Sequence, residues 1–122
     1  MPMITGIGID IIELGRIESS LEKGDRLAAR VLTDSELARY EQFANRRRQV
    51  EYLAGRFAAK EACAKALGTG IGKLSFRHME TIHDERGAPQ LTVQGYEAYV
   101  FLLSISHSKE YAVAQVVVQK KA

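Results

Sequence analysis

Cysteine is almost absent from this chain of 122 residues. Cys63 stands alone, so no internal disulfide can form, and a single thiol suits a reducing compartment. Its place in an alanine-rich stretch points to a small buried side chain, with a free reactive thiol as the other reading. No apolar run approaches the roughly 20 residues that a membrane helix needs. The start, Met1-Pro2-Met3-Ile4-Thr5, has neither the basic region nor the long apolar segment of an export signal. The expectation is therefore a cytoplasmic protein that does not engage a membrane. Neither sign of charge dominates: the net charge is +2 and the pI about 8.8, too mild to argue for nucleic acid but compatible with a local basic patch for an acidic partner. Internal repeats, linkers and low-complexity segments are also missing. With 46% hydrophobic and 26% charged residues, the composition is that of an ordinary globular protein, and the length fits one domain over residues 1–122.

The patterning that is present reads as α+β. Residues Ile4 to Ile12 form a strand that places Ile7, Ile9 and Ile11 on one face and Gly6, Gly8 and Asp10 on the other. Two glycines on one strand face imply close approach by another element, and Asp10 projects from a face stripped of bulk. A short helix spans Glu13 to Glu22. Thr33-Asp34-Ser35-Glu36 is a capping box that starts a helix with Leu37 and Tyr40 on one side. A long helix covers Arg47 to Leu67, with Gly68 as its left-handed cap. Phe76 to His83 and Gln90 to Val93 read as strands joined by the turn Asp84-Glu85-Arg86-Gly87, Gly95 to Leu102 as a short helix, and Leu103 to Ser106 and Tyr111 to Gln119 as two more strands. The resulting fold class is a largely antiparallel sheet packed on one long helix.

Charge is concentrated on the long helix. At about 100° per residue, Leu53, Phe57, Ala64 and Leu67 share a narrow stripe; Lys60 falls in its middle and Glu61 at its edge. An amine in an apolar stripe must find a partner or lose its charge, which suggests a site built from charges; a helix whose Lys60 and Glu61 snorkel to water explains the same pattern. Asp10 and Glu61 are the best pair of carboxylates, each on a rigid element. His and Cys are not clustered at zinc spacing, and hard oxygen ligands with few partners suit Mg²⁺, which keeps waters and completes its shell with phosphates. Each acid taken alone reads first as an ordinary surface residue. Lys65 follows Glu61 by four positions and can meet it on one face. Arg46, Arg47 and Arg48, with Arg56, Lys60 and Lys65 further along, form either a solvated face or a set of phosphate ligands. The arginine run stands at a helix N-terminus, where the dipole disfavours cations. Gly68-Thr69-Gly70-Ile71-Gly72 lets a ligand touch backbone or simply stops the helix; it is not a P-loop, since the Gly-Lys-Ser/Thr ending is missing. Ser106-His107-Ser108 lacks a nucleophile elbow, leaving capping or anion binding.

Three segments, in order, carry a resemblance over nearly the whole chain. They are Gly6-Ile7-Gly8-Ile9-Asp10-Ile11-Ile12-Glu13; Phe57-Ala58-Ala59-Lys60-Glu61-Ala62 with Lys65 and the glycine loop; and Ser104-Ile105-Ser106-His107-Ser108 with Tyr111-Ala112. Together they resemble the bacterial holo-[acyl-carrier-protein] synthase family of 4′-phosphopantetheinyl transferases, in its short single-module form. The resemblance implies transfer of the 4′-phosphopantetheine group of coenzyme A to a serine of apo acyl carrier protein, with adenosine 3′,5′-bisphosphate leaving, in support of fatty acid biosynthesis. It implies that Asp10 and Glu61 hold Mg²⁺ against the pyrophosphate and that Lys65 touches the phosphates and protonates the leaving group. By the same resemblance Arg48, Arg56 and His107 bind the nucleotide end, and Gly68, Thr69, Ser106 and Ser108 line that cleft. The general base is left open between Glu61 and a metal-bound water. Arg16 matches a basic position that docks the acidic carrier, and the family assembles as a homotrimer with active sites between subunits. Two positions depart from the family pattern: His78 stands where an acid is expected and Ala88 where lysine is usual. The competing class is a small RNA- or DNA-binding module using Arg46-Arg47-Arg48. The low net charge and the lack of an aromatic-rich strand for base stacking speak against nucleic acid.

Overall fold

The computed structural model describes residues 3–121. Strand β1 (Met3–Glu13) runs directly into helix α1 (Leu14–Glu22). Helices α2 (Arg26–Val31), α3 (Asp34–Gln42) and α4 (Arg46–Leu67) follow, then strands β2 (Met79–His83), β3 (Pro89–Val93), β4 (Tyr99–His107) and β5 (Tyr111–Lys120). The strands join in the order β1-β5-β4-β3-β2, antiparallel at every pairing, and α4 lies across β1, β5 and β4. The expected α+β architecture is the one observed.

Helix α4 is the axis of the molecule. The Asn45 side chain caps its start by accepting from the Arg48 N–H at 2.8 Å, and Gly68, at φ 73°, closes its end in the left-handed region. Its buried residues, among them Val50, Leu53, Ala58, Ala62 and Cys63, are distributed around the whole circumference, because the sheet covers one side and α1 to α3 approach the others. Small residues make the sheet side close-fitting. A Cβ built on Gly8 would overlap the carbonyl oxygen of Ala62 and lie 2.9 Å from the backbone nitrogen of Ala66; one on Gly6 would overlap the Ala66 carbonyl oxygen. Glycine is used there for lack of bulk, as the strand pattern implied. Among the described residues no helix covers the sheet's other face, and Ile7, Ile9 and Ile11 stand 62%, 58% and 63% exposed on it.

The structure differs from the sequence reading in three places. Residues Gly95 to Leu102 do not form a helix: Gly95, at φ 86°, belongs to a turn, and β4 begins at Tyr99 with Phe101 and Leu103 alternating into the core. Period two won over helical period there. Phe76 to His78 form one 3₁₀ turn before β2, stabilised where the Ser75 N–H donates to His78 Nδ1 at 3.2 Å. Helix α2 has too few residues to show a period, yet it buries Ala28 and Val31.

Candidate active site

Register and packing bring Asp10 to Glu61. Gly6, Gly8, Asp10 and Ile12 alternate onto the α4 side of β1, and the two glycines let α4 settle against the strand at Ala62 and Ala66, on either side of Lys65 and next to Glu61. Lys65 Nζ donates to Asp10 Oδ1 at 2.9 Å and to the Ile9 carbonyl at 3.0 Å. Lysine 65 thus pairs with Asp10 across the two elements rather than with Glu61 along the helix. Burial first, and then the nearby Asp10 charge, push the Glu61 carboxyl above the ordinary carboxylate range, partly offset by Lys65 and Arg30. A second carboxylate whose charge is felt at Glu61 fits a site for a divalent cation. No cluster of three or more acidic, His or Cys ligands occurs among the described residues, so the shell of such an ion would be completed by water and phosphate, the preference of Mg²⁺.

Lys60 does not belong to this group. It is fully buried and points the other way, donating to the Val31 carbonyl at 2.7 Å and pairing with Glu36. Burial pushes the lysine's pKa below its ordinary value, with the Glu36 charge pulling it back up. For Glu36, burial raises the pKa, and the charge and hydrogen bond of Lys60 with the Thr33 and Thr81 backbone amides more than offset that, leaving it below the ordinary value. Sequence reasoning saw Glu36 only as the end of a capping box, which it also is: it accepts from the Thr33 N–H at 2.9 Å. The signal for its second role was the amine at Lys60, which required a buried acid. Arg30, in the unforeseen α2, was likewise missed.

The basic residues form a second group. Arg48 lies over the Phe43 ring at 5.4 Å, and Arg56 over the Tyr52 ring at 4.1 Å while reaching Thr81 Oγ1 at 3.4 Å. Burial lowers the Arg56 pKa below its usual value. His107 Nδ1 lies 3.8 Å from Glu51 Oε2. Arg46 and Arg47 are engaged with Tyr40 and with Glu51 and the Lys109 carbonyl, and that engagement offsets the unfavourable dipole at this helix start. Ser106 is exposed at the end of β4, and Ser108 shapes the β4–β5 turn, its Oγ accepting from the Tyr111 N–H at 3.2 Å. In the loop after α4, Gly68 and Gly70 have positive φ, and Thr69 Oγ1 is buried without a hydrogen-bond partner, an atom waiting for one. Cys63 is not a reactive thiol: burial pushes it up to about 12.

Within one chain these two groups stand apart. Glu51, beside His107, precedes Glu61 by ten residues, about 15 Å along the helix axis. Arg56 and Glu61 fall on different flanks of α4, about 140° apart. A groove of about 800 Å³ lies elsewhere, against β2 and β3 with Glu80, Tyr96 and Tyr99 in its lining, and includes neither group.

The chain matches the model of the 4′-phosphopantetheinyl transferase superfamily over residues 6–116. It is 54% identical to the holo-[acyl-carrier-protein] synthase of Oceanobacillus iheyensis, covering 98% of this chain and 99% of that one. It is 51% identical to that of Bacillus velezensis over 97% of this chain and 98% of the relative. Among solved structures, the Bacillus anthracis holo-(acyl-carrier-protein) synthase in complex with CoA (3′,5′-ADP) superposes with a TM-score of 0.85 at 51% identity, covering 98% and 99% of the two chains. The Helicobacter pylori enzyme in complex with coenzyme A gives 0.79 at 36% identity over 92% of this chain and 98% of that one. With the family model matched over residues 6–116 and relatives of this identity matched end to end, the chain belongs to the 4′-phosphopantetheinyl transferase superfamily, among its holo-[acyl-carrier-protein] synthases.

Proposed function

We propose that this chain transfers the 4′-phosphopantetheine group of coenzyme A to a serine of apo acyl carrier protein, in support of fatty acid biosynthesis. The observation that carries this reading is the meeting of Asp10, Glu61 and Lys65 where two glycines let α4 touch β1. In the reaction the serine oxygen forms a bond to the phosphorus bearing pantetheine. The bond from that phosphorus to the bridging oxygen breaks, and adenosine 3′,5′-bisphosphate leaves. Asp10 and Glu61 would hold Mg²⁺, which when bound neutralises charge on the pyrophosphate. Lys65 is placed to hydrogen-bond a phosphate oxygen and to deliver a proton to the leaving group. The base that takes the serine proton stays open between Glu61 and a water at the metal site.

The nucleotide end binds to Arg48, Arg56 and His107, with Gly68, Thr69, Ser106 and Ser108 around it. The separation of these residues from Asp10 and Glu61 within one chain supports a site shared between subunits of a homotrimer. The uncovered Ile7, Ile9 and Ile11 face supports burial against another copy, since an apolar face of this kind is a preferred contact surface. Arg16, exposed on α1, faces the acidic carrier. No helix among the described residues is long and apolar enough to cross a membrane.

Mass spectrometry of an apo acyl carrier protein after incubation with this chain, coenzyme A and Mg²⁺ tests the reading. The expected result is a gain of about 340 Da, one phosphopantetheine, that disappears with folded Asp10→Ala or Glu61→Ala protein. An unmodified carrier refutes the activity, and full transfer by either variant refutes the site.

A further inference from the structure

Glu36 and Lys60 are the buried charged residues among those described, 3% and 0% exposed, and every polar atom of their side chains is engaged. Glu36 Oε1 accepts from the Thr33 N–H and from Lys60 Nζ; Oε2 accepts from the Thr81 N–H and the Thr81 hydroxyl, both at 2.8 Å. Lys60 adds the Val31 carbonyl at 2.7 Å. One lysine of α4 is thereby tied to the end of α2, the start of α3 and the middle of β2. Thr81 extends the network, because its Oγ1 also accepts from Arg56 Nε at 3.4 Å.

A buried ion pair is a poor device for stability, since apolar residues of similar volume often do as well. What it supplies is direction. If α4 turned about its axis, these bonds would break and leave a desolvated charge unpartnered. Side chains on a helix sit roughly 5–6 Å from its axis, so a 10° turn moves each by about 1 Å. On the sheet side, Ala62 and Ala66 against glycines set how closely α4 approaches β1; the Glu36–Lys60 pair holds the helix from its other side. Glu61 is the next residue, and Arg56 lies one turn before Lys60.

We propose that Glu36 is a positioning residue: through Lys60 it fixes the rotation of α4, and so sets Glu61 against Asp10 and Arg56 on its own flank. This rests on the reading of Asp10 and Glu61 as the metal site.

The test uses the double variant Glu36→Leu/Lys60→Met, which removes the pair but keeps an apolar, filled core. Glu36→Asp keeps the charge and draws it back by one methylene, so the proposal stays open to refutation if the double variant fails to fold. Thermal unfolding, calorimetric affinity for coenzyme A with Mg²⁺ present, and the half-saturating Mg²⁺ for transfer are measured for each. The expected result is unfolding at or near the wild-type temperature, with at least about 10-fold weaker coenzyme A affinity and a Mg²⁺ requirement raised to match, given that a 1 Å misplacement can cost about 100-fold. The KM for carrier stays unchanged. Wild-type Mg²⁺ requirement and coenzyme A affinity in either folded variant overturn the proposal. Asp10→Asn and Glu61→Gln are run in parallel: if they too keep the wild-type Mg²⁺ dependence, the metal-site reading has failed and the positioning role falls with it. If they lose it while the Glu36 variants do not, the positioning role alone is refuted.

Discussion

Replacing Gly8 by alanine adds a single methyl at the most tightly enclosed glycine. The new carbon would overlap the Ala62 carbonyl oxygen and stand 2.9 Å from both the Ala62 carbonyl carbon and the Ala66 nitrogen, where unstrained contacts are about 3.5–4.0 Å. The obstacle is helix backbone, which cannot rotate away as a side chain would, so α4 and β1 must part by roughly 1.5 Å. Overpacking of this kind typically costs about 1–3 kcal/mol, which for a domain of this size lowers the unfolding temperature by roughly 4–15 °C. The functional loss should be larger in proportion. The parting occurs two residues from Asp10 and one from Glu61, and a 1 Å error between reacting groups is worth about 100-fold in rate. Gly8→Ala should therefore still fold, melt lower, and transfer phosphopantetheine at about 1% of the wild-type rate. Gly15→Ala is the control: nothing lies within 4 Å of its added methyl, it sits inside α1, and alanine there should raise stability by about 0.5–1 kcal/mol. Circular dichroism melts and the carrier mass assay read both. Wild-type melting and wild-type transfer in Gly8→Ala would refute the account of a glycine-enabled contact that aligns the site.

Mixing two inactive variants, Glu61→Ala and His107→Ala, should restore part of the activity by subunit exchange; no recovery despite exchange shown by mass spectrometry rules out a shared site. Ile9→Lys on the open sheet face should convert the assembly to monomer by light scattering, and an unchanged mass would move the interface elsewhere. Arg16→Glu should raise the KM for carrier while leaving that for coenzyme A unchanged, with added salt weakening the wild-type interaction in the same direction; equal effects on both substrates count against docking by Arg16. Without metal, Glu61→Gln should melt higher than wild type near neutral pH. A carboxyl raised above 4.5 by burial and Asp10 penalises the folded state fully above its folded pKa and not at all below its unfolded one. The gain should thus fade as pH falls toward 4.5; a pH-independent difference would remove Glu61's ionisation as the cause.

Features with local causes were legible from the residues. The capping box at Thr33, the helix stop at Gly68 and the hairpin turn at Asp84 each rest on chemistry within a few positions, and the structure has all three. The glycine pair on β1 announced a close neighbour without saying which. That α4 is the neighbour depends on a strand order which brings the first and last strands together, and no local pattern encodes it. Lys60 shows the same limit from the other side: its position demanded a partner, but Glu36 was already explained as a cap. The short α2 left too small a signal to register, and with it went Arg30.

The pairing of β1 has a consequence for how the molecule is made. Its one strand partner is β5, in a register that joins Met3 to Lys120 and Asp10 to Ala114. A chain emerging from the ribosome at about 5–20 residues per second can build α1 to α4 and the β2–β3 hairpin early, from contacts close in sequence. Asp10 gains its strand partner only when β5 arrives, about a hundred residues later. A nascent chain stalled before Tyr111 would have α4 and its lysine tie to Asp10, but β1 would lack the sheet neighbour that fixes its register.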